Sequence, residues 1–363
     1  MNKQIAILTI NDYLNYGNRL QNYALQEVLR KFGEVTTLRG VDSVLSSKAY
    51  MVATIRYWMM MLKPGVSHAM AVRMYRSKAF TRNLVNDSKA ILDVNGIHGK
   101  AGYHSDLVVI GSDQVWNYRW LDDDTFRMRL GLCSRDIPTI SYAASIGVSS
   151  LTDDVQDIFR EGVEYLKAIS VREDKAKEIV ESCSDRTATV VLDPTLLLSR
   201  DQWKIIASSK VTPKEQYVLT YFLGQPTDRQ EKIIKDYADK HKLKICRMLD
   251  NRDMERLSAG PAEFVDLFLH ADMIFADSYH ACCFSIIFNK QFKVFNREGS
   301  TSKKGINMNS RLETLFRVFG IHGFLSEDNL IPEINYSCVN KRHEELRVKS
   351  LKWLESAIVD ATS

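Results

Sequence analysis

Four apolar residues, Leu107 to Ile110, run straight into the polar tetrad Gly111-Ser112-Asp113-Gln114. The same boundary recurs far downstream, where Met273-Ile-Phe-Ala276 runs into Asp277-Ser278-Tyr279-His280. A short apolar run closed by turn residues reads as a strand buried on both faces, the kind found in parallel sheets. In open α/β sheets, ligands bind beyond the carboxyl ends of the strands, and a glycine such as Gly111 lets the backbone come close to them. Two such boundaries point to two α/β halves facing a shared cleft.

The rest of the chain supports this pattern. Ile5 to Ile10 reads as a first strand and Asn11 to Asn18 as a polar turn segment. Leu20 to Phe32 has helical apolar spacing, Gly33 suits its C-terminal cap, and Val35 to Leu38 resumes a strand. Further strands are expected at Pro138–Ile146, Ala168–Arg172 and Thr189–Leu192, with helices at Thr152–Leu166 and Glu173–Ser182. A second alternation starts at Tyr217 and ends at Phe295; an Asn309-capped helix from Arg311 to Phe319 and a last helix over Asn340–Ile358 follow. Strands alternating with helices predict an α/β fold of two Rossmann-like domains with parallel sheets and a central cleft. The expected division is 1–195, 196–335 and a C-terminal helix in 336–363 that packs back on the first domain.

Composition narrows the class. Of the 363 residues, 45% are apolar and 26% charged, as in ordinary globular proteins. A formal charge of +4 is too weak to argue for nucleic acid. Six cysteines without a C-x-x-C pair fit a reduced, cytoplasmic compartment. The N-terminal apolar run is too short for a signal peptide, and no stretch has the roughly 20 apolar residues of a membrane span. No Walker A loop, G-x-G-x-x-G after a strand, H-E-x-x-H or G-x-S-x-G is found, and no metal-ligand cluster stands out. Residues 48–82 are unusual: between Asp42 and Asp87 there is no acidic residue, while Lys48, Arg56, Lys63, Arg73, Arg76, Lys78 and Arg82 all fall there. The Met- and aromatic-rich stretch Tyr50–Pro64 inside it suits a helix lying on an anionic membrane surface. It equally suits a core- or partner-facing helix followed by a solvated basic one.

Polar clusters sit where strands end. Asn15, Gly17, Asn18 and Gln21 open the first helix; their amides suit a hydroxyl-rich ligand or a helix-capping turn. Gly111, Ser112, Asp113 and Gln114 form the second cluster, with Asp113 a candidate base or an Asx-turn residue. Ser278 and His280 form the third, where a titratable ring lies near Asp277. Arg172 at a strand end suits a bidentate anion clamp, or an ion pair with Glu173 or Asp174. Arg297, Lys303, Lys304 and Arg311 make a basic stretch that either closes over an anion or is solvated.

Together these segments resemble the polysaccharide pyruvyl transferase family. The resemblance is carried in order by Asn15 to Leu25, Val109 to Asn117, Ser141 to Gly147, Ser170 to Glu173, Leu192 to Thr195, and Asp277 to His280 with Ser285 to Lys290. It implies a fold like that of GT-B glycosyltransferases. It also implies transfer of pyruvate from phosphoenolpyruvate to two hydroxyls of one sugar, giving a cyclic ketal and phosphate. The expected partners are phosphoenolpyruvate as donor and a sugar acceptor, lipid-linked in view of the basic segment, with peripheral contact at the inner face of an anionic membrane. No cofactor is expected beyond the donor. By the resemblance, Arg172 clamps the donor and His280 is the histidine after the second-domain strand; the chemistry makes His280 a reasonable general acid and Asp113 the candidate base. Many members carry an arginine two residues before that histidine, where this chain has Ser278; either Arg297, Lys303, Lys304 or Arg311 supplies the cation instead, or the donor differs. The alternatives are a GT-B-like glycosyltransferase using a nucleotide sugar and a non-catalytic glycan-binding relative.

Overall fold

The computed structural model describes residues 3–40, 47–98, 104–297, 309–321, 331 and 333–363. Among these, one sheet contains β1 (Lys3–Leu8), β2 (Gly33–Gly40), β3 (Asp87–Asp93), β4 (Gly96–His98), β5 (Leu107–Asp113), β6 (Thr139–Ala144), β7 (Ala168–Val171) and β8 (Thr189–Val190). Its order is β4-β3-β2-β1-β5-β6-β7-β8, parallel except for the β3–β4 hairpin. A second, wholly parallel sheet has the order β10-β9-β11-β12, from β9 (Tyr217–Tyr221), β10 (Lys244–Met248), β11 (Met273–Ala276) and β12 (Gln291–Val294). The helices of the first half are α1 (Tyr16–Leu29), α2 (Ser47–Leu62), α3 (Val66–Leu84), α4 (Asp123–Arg129), α5 (Asp153–Tyr165) and α6 (Asp174–Cys183). Those that follow are α7 (Arg200–Ile206), α8 (Asp228–His241), α9 (Met254–Leu257), α10 (Pro261–His270), α11 (Tyr279–Phe288), α12 (Asn309–Phe319) and α13 (Tyr336–Ala361).

Strand order reverses direction between β1 and β5 in the first sheet and between β9 and β11 in the second. Such switch points leave a crevice beyond the carboxyl ends of the strands. The two crevices are held together by an apolar core that runs between the sheets. Trp203 on α7 is fully buried, its ring centroid 5.8 Å from Tyr23 of α1 and 4.8 Å from Phe284 of α11. Tyr16 packs 5.2 Å from Phe264 of α10, and its hydroxyl donates to the Ala259 carbonyl at 2.7 Å. Truncating a buried tryptophan costs about 3–5 kcal/mol, so Trp203 alone contributes a large share of what fixes one sheet against the other. The C-terminal helix α13 lies against the first sheet: Trp353 packs on Tyr142 of β6 at 6.2 Å, and Ser350 Oγ accepts from the Leu192 amide at 3.0 Å.

Three local expectations are corrected. β5 does not stop at Ile110; it continues through Gly111 and Ser112 to Asp113, which takes a left-handed φ of 68°. A Cβ on Gly111 would lie 2.7 Å from Leu25 of α1, so this glycine serves helix–sheet packing and not ligand approach. Gly33 does not cap α1, whose C-cap is Arg30; it opens β2, where a Cβ would lie 2.1 Å from the Lys3 carbonyl oxygen. The β3–β4 hairpin is not expected from the sequence pattern.

Candidate active site

Both switch points open on one cavity of about 250 Å3. The first sheet and its helices supply Ile10, Asp12, Asn15, Asn18, Asp113 and Gln114; the second half supplies Tyr221, Leu223, Ser278, Tyr279, His280, Arg297 and Arg311. Each polar group stands where an element starts or ends. Asn15 is the N-cap of α1, its side chain accepting from the Asn18 amide, and Ser278 is the N-cap residue of α11. The helix N-termini thus aim their free N–H groups and positive dipole ends at the cavity.

His280 is 8% exposed and occupies the space that Gly17 leaves: a Cβ there would lie 2.1 Å from its Nδ1. Gly17 therefore acts as a seat for the ring and does not contact the cavity. His280 Nε2 is buried without a hydrogen bond, and the nearest carboxylate oxygen is Asp193 Oδ2 at 3.7 Å. Asp277, the neighbour expected to support the histidine, does other work. It accepts from the Leu223 and Gly224 amides at 2.7 and 2.8 Å and holds Arg297 Nε at 3.2 Å.

Asp193 is the hub beneath the cavity. It accepts from Arg172 Nη1 at 2.7 Å, Ser112 Oγ at 3.0 Å, the Thr195 amide at 2.9 Å and Thr195 Oγ1 at 2.7 Å. Burial alone would raise its pKa, but His280, Arg172 and Thr195 hold it well below the usual carboxylate range. Arg172 is fully buried between Asp193, Asp113 at 3.4 Å and the face of Tyr279 at 4.3 Å. Its charge is disfavoured by burial, but Asp193 and the neighbouring groups outweigh this and raise its pKa. Arg172 does not line this cavity; in the structure it braces two carboxylates, Asp193 and Asp113. It does not pair with Glu173 or Asp174 either; Glu173 accepts from Ser145 and Ile146, and Asp174 pairs with Arg317 at 2.8 Å.

Asp113 accepts from Asn18 Nδ2 at 3.2 Å and from the Gln114 amide at 2.9 Å. Burial would raise its pKa; Arg172, His280 and Arg311 reverse this and lower it. Strain of the kind seen in its φ costs about 1–3 kcal/mol and is kept where function needs it. Arg311, on α12, is 6% exposed, and its Nη1 and Nη2 donate to Gln114 Oε1 at 2.8 and 2.7 Å when the Gln114 amide is turned with its oxygen toward the guanidinium. Burial and the adjacent Arg172 push its pKa down to about 10, against the opposing pull of Glu173 and Asp113.

The cavity thus gathers Asn15, Asn18, Asp113, Gln114, Ser278, His280, Arg297 and Arg311. Gln21 and Ser112 do not reach it: Gln21 donates to Thr9 Oγ1 within the fold, and Ser112 to Asp193. Gly111 is likewise excluded by its packing on Leu25. Lys303 and Lys304 lie outside the described residues. Sequence reasoning singled out neither Asp193, which lay inside the Leu192 to Thr195 segment without a role, nor Tyr279, the platform under Arg172. The segment Leu192 to Thr195 was itself a signal, since a turn alone gives no reason for it to travel with the other motifs. A second cavity lies behind Arg172, lined by apolar groups such as Val191, Leu192, Leu315 and Leu346. It contains neither His280 nor Asp113, though Arg172 and Lys349 are among its lining residues. Among the described residues no group of three or more His, Cys, Asp or Glu is placed to hold a metal.

Two Rossmann-like sheets around such a crevice define a GT-B-like α/β protein. Solved structures share this fold. UDP-GlcNAc 2-epimerase from Neisseria meningitidis, bound to UDP-GlcNAc, aligns at a TM-score of 0.50 with 10% identity, over 98% of this chain and 99% of that one. The UDP-GlcNAc 2-epimerase of Methanocaldococcus jannaschii gives 0.45 with 12% identity over 95% and 92% of the two chains. No curated protein matches the chain. The family model for polysaccharide pyruvyl transferase matches residues 15–299, and the chain belongs to that family.

Proposed function

We propose that the protein transfers the pyruvyl group of phosphoenolpyruvate to two hydroxyls of one sugar in a glycan precursor, forming a cyclic ketal and releasing phosphate. The observation that carries the proposal is the pairing, in one small cavity, of two arginines with a histidine and a carboxylate. The donor has a carboxylate and a phosphate, and Arg297 and Arg311 match them. Arg311 takes the part of the cation that Ser278 does not supply. The volume lies below the range that encloses drug-sized ligands, which favours a three-carbon donor with the sugar entering from outside.

His280 delivers a proton to the methylene carbon of the donor while the first sugar hydroxyl adds to the adjacent enol carbon. Asp113 takes that hydroxyl's proton, with Asn15 and Asn18 holding the sugar. The second hydroxyl then displaces phosphate from the same carbon, its proton leaving with the phosphate and medium, and the ketal closes. The acceptor is a lipid-linked sugar, in keeping with the basic segment near residues 48–82. The test is incubation with phosphoenolpyruvate and candidate sugars, reading phosphate release and the mass of a pyruvyl ketal. His280→Ala should reduce both by two orders of magnitude or more, about the share of general acid catalysis. Wild-type turnover in that variant would sink the assignment. Turnover of a nucleotide sugar instead would favour the glycosyltransferase reading, which the GT-B-like fold also accommodates.

A further inference from the structure

Helix α2 has no buried side chain among those described. Met51, Val52, Ile55, Trp58, Met59 and Leu62 are each between 53% and 85% exposed. At 3.6 residues per turn these six fall within about 120° of the helix circumference. The opposite side, with Ala49, Tyr57, Met60 and Met61 half-buried, faces α3, where Lys78 Nζ sits 5.9 Å from the Tyr57 ring. The helix therefore carries two apolar faces, and one of them is uncovered. An exposed apolar patch of this kind marks an interaction surface.

Charge selects the partner. Residues 43–86 contain no acidic side chain, and Lys48, Arg56 and Lys63 border the uncovered stripe. A protein surface that matched the stripe would leave these cations unpaired unless it were acidic. A lipid surface with anionic headgroups satisfies both features, with the apolar stripe at the acyl boundary and the cations at the phosphates. Trp58, 60% exposed at one edge of the stripe, is the residue type enriched at that boundary. The helix does not span: among the described residues none is long and apolar enough to cross a membrane.

We infer that α2 is a docking helix for an anionic membrane surface. It rests on α3, and α3 is fastened to the rim of the cavity. Arg73 donates to the Leu14 carbonyl at 2.5 Å and lies 4.9 Å over the Tyr16 ring, either side of the cavity residue Asn15. Arg76 donates to Ser258 at 2.9 Å in the second half. This corrects the expectation that the second basic helix is merely solvated. A docked α2 thus holds a fixed relation to the acceptor side of the cleft. Only the lipid-linked nature of the acceptor rests on the reaction proposed above; docking itself needs neither substrate.

The experiment is co-sedimentation of the full chain with phosphatidylcholine vesicles, with and without phosphatidylglycerol. The wild type should sediment with the mixed vesicles only and be released by salt. Trp58→Ser with Leu62→Ser should abolish binding at an unchanged melting temperature, since both side chains are exposed. Lys48→Gln, Arg56→Gln and Lys63→Gln together should weaken it on the order of a hundredfold. The inference is overturned if the wild type stays in the supernatant, if these variants bind unchanged, or if ultracentrifugation shows a dimer that Leu62→Ser disperses. In that last case a second copy covers the stripe. All the variants should keep turnover on a soluble acceptor, so a failed vesicle result and a failed reaction are read separately.

Discussion

Replacing Gly17 with alanine would set a Cβ 2.1 Å from His280 Nδ1 and 2.6 Å from both Cγ and Cε1. Ordinary van der Waals contacts of a Cβ begin near 3.4 Å, so opening the gap from 2.1 to 3.4 Å displaces the ring by about 1.3 Å. The ring has little room, with Asp193 3.7 Å from its other nitrogen and the Tyr279 ring 5.5 Å away. A catalytic group misplaced by roughly 1 Å costs on the order of a hundredfold in rate, or about 3 kcal/mol of barrier. Stability should move far less. Alanine favours a helix over glycine by about 1 kcal/mol, against an overpacking cost of about 1–3 kcal/mol. The assay is phosphate release from phosphoenolpyruvate with an acceptor the wild type uses, beside a denaturant melt. The expected result is a kcat reduced about a hundredfold at a stability within about 2 kcal/mol of wild type. In a His280→Ala background the same substitution should have almost no further effect on rate, because both changes act through one ring. Near-wild-type turnover, or a loss of rate that persists undiminished without the histidine, would refute the seat-for-the-ring argument.

Three further outcomes follow from the charges. Arg172→Ala strands buried Asp193 and Asp113, and loss of one partner of a buried pair costs about 3–5 kcal/mol; a denaturant midpoint unchanged from wild type, with only the donor KM raised, would make Arg172 a direct clamp instead. Burial and Arg172 lower the folded-state pKa of Arg311 to about 10, so its charge opposes folding throughout the neutral range. Arg311→Gln should accordingly be no less stable than wild type at neutral pH, and inorganic phosphate should raise the melting temperature of the wild type but not of the variant. Asp193 has a depressed folded-state pKa, so its stabilising effect is complete above the unfolded value of about 3.9 and is lost as pH falls below it. Asp193→Asn should flatten the acid limb of a plot of melting temperature against pH, and an unaltered limb would contradict the hub role.

Sequence patterning resolved the elements whose signals are local. α1 carries its apolar face at helical spacing and its cap in Asn15, and β9 to β12 are short apolar runs between helices, so both appear near their expected positions. What escaped was set by distant partners. Asp87–Asp93 alternates weakly and lies next to the edge of its sheet, where only β2 and the short β4 define it as a strand. The extension of β5 to Asp113 depends on a left-handed φ, which aspartate tolerates but does not by itself predict. Asp193 sits in an Asp-Pro turn, and nothing local separates it from a turn residue; its hydrogen bonds to Ser112 and Arg172 span 81 and 21 positions.

The same long-range logic explains how the site works around Ser278. Three carboxylates at or beneath the cavity already hold a cation: Asp193 and Asp113 hold Arg172, and Asp277 holds Arg297. Arg311 is then added where burial and Arg172 both oppose its charge, against the pull of Glu173 and Asp113. A fold selected only for stability would neutralise this position, since a buried cation beside another is a cost. The cost is recovered when a dianion enters, because the same low-dielectric surroundings that penalise the empty site strengthen the attraction in the filled one. On the proposed reaction, the serine at 278 need not weaken donor binding, because Arg311 would bring a cation from α12, a helix that sequence order places beyond the second sheet and that the fold returns to the cleft.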